Sequence, residues 1–181
     1  MPVKSLCVYC GANAGVSPRY AEAARALAHA MVEANLGLVY GGGNVGLMGI
    51  IADEVLRLGG EVTGVIPSAL VEREVAHSGL TRQFIVKDMH ERKARMAELA
   101  DGFIAMPGGM GTLEELFEML TWSQLGIHSK RVGLLNVDGF YDSLIGFISH
   151  ATGQGFIRPQ HAQLVMVETD PAALLHRLTA L

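Results

Sequence analysis

Two glycine-rich segments, a cluster of carboxylates and one arginine on an apolar helix face are the residues of this chain whose types and spacing could do chemistry. Gly41-Gly42-Gly43-Asn44-Val45-Gly46 follows a β-rich run and opens a run of helical period. Bare backbone N–H groups and the positive end of a helix dipole therefore face whatever binds there, which suits an anion. The segment also satisfies G-x-G-x-x-G. The next strand, Val62-Thr63-Gly64-Val65-Ile66-Pro67, however, ends in proline where a dinucleotide fold places an acid for the ribose hydroxyls, which argues against NAD. Two readings stand: an anion cradle that includes Gly42 and Gly43, or glycines that serve only a tight turn and close helix packing.

The second segment, Pro107-Gly108-Gly109-Met110-Gly111-Thr112, again joins an apolar strand to a helix, so a second nest of N–H groups arises in the same kind of place. Two such turns in one small domain point to a phosphorylated ligand. Thr112 and Glu115 have the spacing of an N-cap and its N3 partner, and a capping box would account for both. Against that reading, Glu114, Glu115 and Glu118 crowd beside a phosphate cradle, where negative charge repels the ligand unless one carboxylate has another task. Cleavage of a ribosyl bond supplies one: a fixed carboxylate stabilises an oxocarbenium-like state or activates water.

The third element is Asp88-Met89-His90-Glu91-Arg92-Lys93-Ala94-Arg95-Met96. Asp88 and Glu91 read as N-cap and N3 of a helix whose apolar face includes Met89, Met96 and Leu99. Arg92 falls on that face. A cation there must either carry its tip out to water or meet a ligand at the helix N-terminus.

The elements that must position these groups follow from periodicity. Short β-rich runs at Leu6–Tyr9, Leu38–Tyr40, Val62–Ile66, Phe84–Val86, Phe103–Met106, Val132–Leu135 and Leu164–Val167 alternate with helical runs near 17–34, 46–58, 88–100, 112–124, 140–152 and 171–180. Ser17-Pro18 and Asp170-Pro171 supply the N-cap and N1-proline signal. The alternation predicts an α/β fold, a parallel sheet with helices on both faces, in a single domain over residues 1–181. All three chemical segments are strand-to-helix turns, so they share the carboxyl edge of that sheet. Pro67–Gly79 is the one long irregular connection, a lid or a wall of the site. In the helix at 112–124, Met119 and Trp122 stand off the Leu113, Leu116, Phe117, Leu120 stripe, to fill the core or to pack across a dimer.

Composition narrows the partners. Half of the 181 residues are hydrophobic, yet no apolar run approaches the roughly 20 residues that span a bilayer. A soluble cytoplasmic protein is expected. The net charge of −4 carries no basic stripe, which excludes the electrostatic footprint of a nucleic-acid polymer. Cys7 and Cys10 form C-x-x-C, but within a strand residues three apart point to opposite faces, so buried thiols are expected rather than a redox pair. The seven histidines show no paired ligand spacing, and no metal is expected.

The pair G-G-G-x-x-G-x-M-G at Gly41–Gly49 and P-G-G-x-G-T-x-x-E at Pro107–Glu115 resembles the hallmark of the LONELY GUY (LOG) family of cytokinin-activating phosphoribohydrolases. The similarity extends over Met89–Lys93, Thr121–His128 and Val132–Tyr141. The resemblance implies a Rossmann-like homodimer without a cofactor that releases free base and ribose 5-phosphate from an N6-modified adenosine 5′-monophosphate. It implies Arg92 and Glu115 as the catalytic pair. Glu74, Lys93, Thr121 and the run Gly108, Gly109, Met110, Gly111, Thr112, Leu113 and Glu114 would line the substrate site. One departure is visible: the family usually carries small hydroxyl residues after Cys-Gly, and here the chain reads Cys10-Gly11-Ala12-Asn13. A decarboxylase using pyridoxal phosphate is disfavoured, because none of Lys4, Lys87, Lys93 and Lys130 has a recognisable cofactor context. Two rival readings share the site: a general AMP nucleosidase with no hormone role, and a nucleotide-binding module that breaks no bond.

Overall fold

A computed structural model describes residues 2–73 and 75–180. Seven strands, β1 (Ser5–Tyr9), β2 (Gly37–Tyr40), β3 (Val62–Pro67), β4 (Arg82–Val86), β5 (Gly102–Ala105), β6 (Arg131–Leu135) and β7 (Val165–Glu168), form one sheet in the order β4-β3-β2-β1-β5-β6-β7. Every pairing is parallel. Helices α1 (Pro18–Glu33), α2 (Gly46–Arg57), α3 (Met89–Leu99), α4 (Met110–Gln124), α5 (Asp142–Gly153), α6 (Pro159–Ala162) and α7 (Pro171–Thr179) fill the connections. Two 3₁₀ turns, Ser68–Leu70 and Val137–Gly139, complete the described elements. No helix among the described residues is long and apolar enough to cross a membrane.

A parallel sheet must be covered on both faces, and the alternation along β1 shows how this one is. Leu6, Val8 and Cys10 enter a core with α1, α2 and α7, while Cys7 and Tyr9 enter the opposite core with α3 and α4. The two thiols are therefore free, buried and on opposite faces, as strand period requires. Burial, reinforced by the field of Glu115, pushes both thiols far above their ordinary pKa. Neither cysteine is expected to react with a disulfide reagent in the native protein, whereas both should titrate at once in denaturant; fast native reaction would contradict this packing.

Local cap chemistry sets the helix starts. Ser17 accepts from the Arg19 amide at 3.3 Å and Asp170 from the Ala173 amide at 2.8 Å, each before a proline at N1. Asp88 accepts from the Glu91 amide at 2.9 Å, and the Glu91 carboxylate reaches back to the Lys87 amide at 2.7 Å. Helix α4 departs from expectation. It starts at Met110 with Gly109 as N-cap, so Thr112 lies inside the first turn and buried, and the Thr112–Glu115 capping box does not form. Thr112, Leu116 and Met119 are buried, Leu113 and Leu120 pack partly buried against the same core, and Phe117 is exposed. Full burial of Leu116 and Met119 contributes about 1.5–3 kcal/mol each. Trp122 packs half-buried against the same core.

Strand order reverses between β1 and β5, and in an open parallel sheet the crevice opens at that switch point, beyond the carboxyl ends of the strands. The connection from β4 to β5 must cross back over β3, β2 and β1, and its helix α3 packs against all three. That crossover carries Arg92 to the switch point.

Candidate active site at the switch point

A cavity of 470 Å³ occupies this position. Its floor is the loop after β1, Cys10 to Gly15, stapled on both sides: the Gly11 amide donates to the Pro107 carbonyl at 3.0 Å, and the Gly11 carbonyl accepts from the Leu47 amide at 3.0 Å. Gly46, with φ of +56°, permits this approach, since a Cβ there would strike the Ala12 backbone. Ala12 brings no hydroxyl, so it offers the cavity only a methyl group and backbone.

The opposite wall is the Pro107–Thr112 turn with the first turn of α4. No side chain caps that helix, and its leading N–H groups lack intrahelical partners, so Met110 and Gly111 present donors and a positive dipole end to the cavity. Glu114 and Glu115 follow on the same lining.

Arg92 closes the site from α3. Only 5% exposed, it does not snorkel. Its Nε donates to the Val65 carbonyl at 3.1 Å and its Nη2 to the Gly41 carbonyl at 2.7 Å, which fixes the guanidinium plane at the ends of β3 and β2. Gly41 is needed for this. A Cβ there would collide with the guanidinium. Gly41→Ala is expected to lower stability by about 1–3 kcal/mol in urea unfolding, the cost of overpacking. Gly109→Ala, where a Cβ meets nothing within 4 Å, should change it by less than about 1 kcal/mol. Equal losses for the two would contradict the packing.

The crowd of carboxylates resolves by helix geometry. Glu114 and Glu118, four residues apart, share one face of α4, and both receive Lys93 of α3, at 2.5 and 3.2 Å. Burial alone would push the Lys93 ammonium down; its hydrogen bonds to Glu114 and Glu118 outweigh this and hold it above its ordinary pKa. Glu115 points elsewhere, lining the cavity. Arg92 and Glu115 both line the cavity, and the charges of both act on the buried Cys7: after burial, the Glu115 charge raises its pKa and the Arg92 charge lowers it.

Of the residues read from the sequence, Arg92, Gly108, Gly109, Met110, Gly111, Thr112, Glu114 and Glu115 border the cavity. The others do not. Gly42 and Gly43 are buried under the segment after β3: the Gly42 carbonyl accepts from the His77 amide, Gly43 bridges Ala76, and the neighbouring Asn44 amide donates to the Val75 carbonyl. The first glycine turn thus serves the site through Gly41 rather than as an open anion cradle. Lys93 lies behind Glu114, and Leu113 is half-buried against the core. Thr121 is exposed, eleven residues past Met110 and so about 16 Å along the helix. Glu74 lies outside the described residues.

Sequence reasoning missed the apolar walls. Met48, Leu70 and Met89 line one part, and Tyr20 and Phe140 meet edge to face at the rim, with ring centres 5.7 Å apart. Leu70 makes the segment after β3 a wall of the site. The rule that strand-to-helix turns share one edge also covers residues 10–20, and it was the available signal for Tyr20.

Fold and site define a Rossmann-like α/β protein with an arginine and a glutamate at the switch-point crevice. The chain belongs to the LOG family. It is 50% identical over 175 residues to cytokinin riboside 5′-monophosphate phosphoribohydrolase LOG7 of Arabidopsis thaliana, covering 97% of this chain and 81% of that protein. It is 49% identical to LOG2 of the same plant, covering 97% and 82%. A family model described as "Possible lysine decarboxylase" matches residues 48–178. Pyridoxal phosphate does not fit the residues here: no lysine borders the cavity among the described residues, and Lys93 is committed to Glu114 and Glu118. The fold is shared with the Moco carrier protein of Chlamydomonas reinhardtii, at a TM-score of 0.72 and 20% identity over 98% of both chains.

Proposed function

We propose that this chain hydrolyses the N-glycosidic bond of N6-modified adenosine 5′-monophosphates, releasing free base and ribose 5-phosphate. The observation that carries this reading is the convergence of Arg92 and Glu115 on a cavity closed by the uncapped start of α4. The amides of Met110, Gly111 and Thr112 hold the 5′-phosphate, where a helix N-terminus favours a dianion. The glycosidic electron pair leaves with the base as C1′ becomes oxocarbenium-like. Glu115 stabilises that cation and takes a proton from the attacking water, whose oxygen becomes the C1 hydroxyl; Arg92 steadies the departing base, which gains a proton. The apolar walls of Met48, Leu70 and Met89 suit an N6 hydrocarbon group.

Paired kinetics test the substrate reading. Isopentenyladenosine 5′-monophosphate should be cleaved with a higher kcat/KM than AMP, and the dephosphorylated nucleosides should not be cleaved. Equal rates for the two monophosphates would make the protein a general AMP nucleosidase.

The enzyme works as a homodimer in this reading. Thr121, too far from its own cavity, contacts substrate only in a partner's site, and the exposed Phe117, Leu125 and Ile127 near it supply apolar surface for the contact. Light scattering should give twice the chain mass, and Phe117→Glu should give monomers with reduced base release; an active monomer contradicts the dimer. Two free buried thiols fit a reducing compartment, which supports a cytoplasmic location.

A further inference from the structure

We infer that Asp53 and His77, neither of which lines the cavity, form a positioning couple that holds the active site through the segment after β3. The inference rests on the proposed hydrolysis for its kinetic part. That segment, residues 68–80, supplies Leu70 to the cavity and then runs over the first glycine turn. Three backbone ties fasten it there: the Asn44 amide to the Val75 carbonyl at 2.8 Å, the His77 amide to the Gly42 carbonyl at 3.0 Å, and the antiparallel bridge between Gly43 and Ala76.

These ties hold against local preference. Val75 has a φ of +47°, a left-handed conformation that a β-branched residue adopts only when its surroundings impose it. His77 fastens the same segment from the far side. Its side chain is 8% exposed and bonded at both ring nitrogens. The Gly79 amide donates to Nδ1 at 3.0 Å, so the ring proton sits on Nε2, which donates to Asp53 Oδ1 at 2.9 Å. Asp53 stands on α2, the helix that also carries Met48 into the cavity. The couple thus pins residues 75–79 between α2 and the glycine turn.

What the turn does for the site gives the couple its consequence. The Gly41 carbonyl holds the Arg92 guanidinium at 2.7 Å, one residue from the Gly42 carbonyl that His77 engages. A shift of the turn moves Arg92 against the departing base, and small misplacements of a positioned group cost rate more than binding. Arg92 touches the cavity and Asp53 does not, so Asp53 acts only through this chain of contacts.

Asp53 is suited to a test because its side chain is 67% exposed, so its removal leaves the core intact. Asp53→Ala should lower kcat about tenfold with KM changed less than about threefold, as for loss of positioning. Asp53→Asn, which keeps the accepting oxygen, should restore kcat to within about threefold of wild type. Hydrogen exchange supplies a readout independent of catalysis: amides of residues 42–44 and 75–79 should exchange faster in Asp53→Ala than in wild type, with the rest unchanged. Unaltered exchange together with unaltered kcat overturns the inference, as does an Asn variant as slow as the Ala variant. Absence of base release by the wild type overturns the proposed hydrolysis instead, and the exchange result then decides the couple alone.

Discussion

Glu115→Gln is expected to lower kcat for base release by about 100- to 1,000-fold while KM changes less than about threefold, the effect of removing one preorganised electrostatic group. The split follows from where the charge is needed. A neutral nucleotide base bound in the ground state gives the carboxylate little to act on, whereas positive charge at C1′ develops only as the bond breaks. Glutamine keeps the shape and abolishes the charge. Because Glu114 and Glu118 are already committed to Lys93, neither can take over the task. Folding stability should change little by comparison, since glutamine matches glutamate in shape and keeps a hydrogen-bonding oxygen in the same place. Steady-state rates with thermal unfolding check both halves. Normal turnover in this variant would reduce Glu115 to a residue of the helix start.

Arg92→Met carries the second large effect, on both activity and stability. The Gly41 and Val65 carbonyls, hydrogen-bonded to the guanidinium in the buried interior, would each lose a charged donor. Stranding buried acceptors costs about 1–3 kcal/mol each, so a loss of roughly 3 kcal/mol and a fall in Tm of roughly 6–12 °C are expected for a chain of this size. Base release should fall at least about 100-fold. Arg92→Lys separates the two roles: it keeps the charge, but one ammonium cannot reproduce the planar fork that reaches both carbonyls. It should recover part of the stability and little of the activity. Full recovery by lysine would show that charge alone matters.

The parts of this fold legible in the sequence are those fixed by local chemistry. Ser17, Asp88 and Asp170 announce their helices because each cap is made within three residues of itself. Cys7 and Cys10 reveal their opposite faces because strand period is two. The start of α4 was hidden for the same kind of reason: Gly109 caps without a side chain, so Thr112, the first residue with a capping oxygen, attracted the assignment. The two glycine turns look alike in sequence. They differ in what reaches them from afar, since carbonyls of Val75 and Gly11 take amides near the first, while no side chain caps the helix at the second. Arg92 was recognisable as an anomaly on an apolar face, but its carbonyl partners lie 27 and 51 residues away. The apolar walls drew on α1, α2, the segment after β3, α3 and the loop before α5, and only strand order brings those together.

Hydrolysis of isopentenyladenosine 5′-monophosphate in ¹⁸O-labelled water, with both products quantified by mass, puts the greatest strain on this account. Free base and ribose 5-phosphate should appear in equal amounts, with the label in the sugar and none in the base, and with turnover about 100- to 1,000-fold lower in Glu115→Gln. Nucleotide that binds and is recovered intact would contradict it and make the crevice a binding site without chemistry.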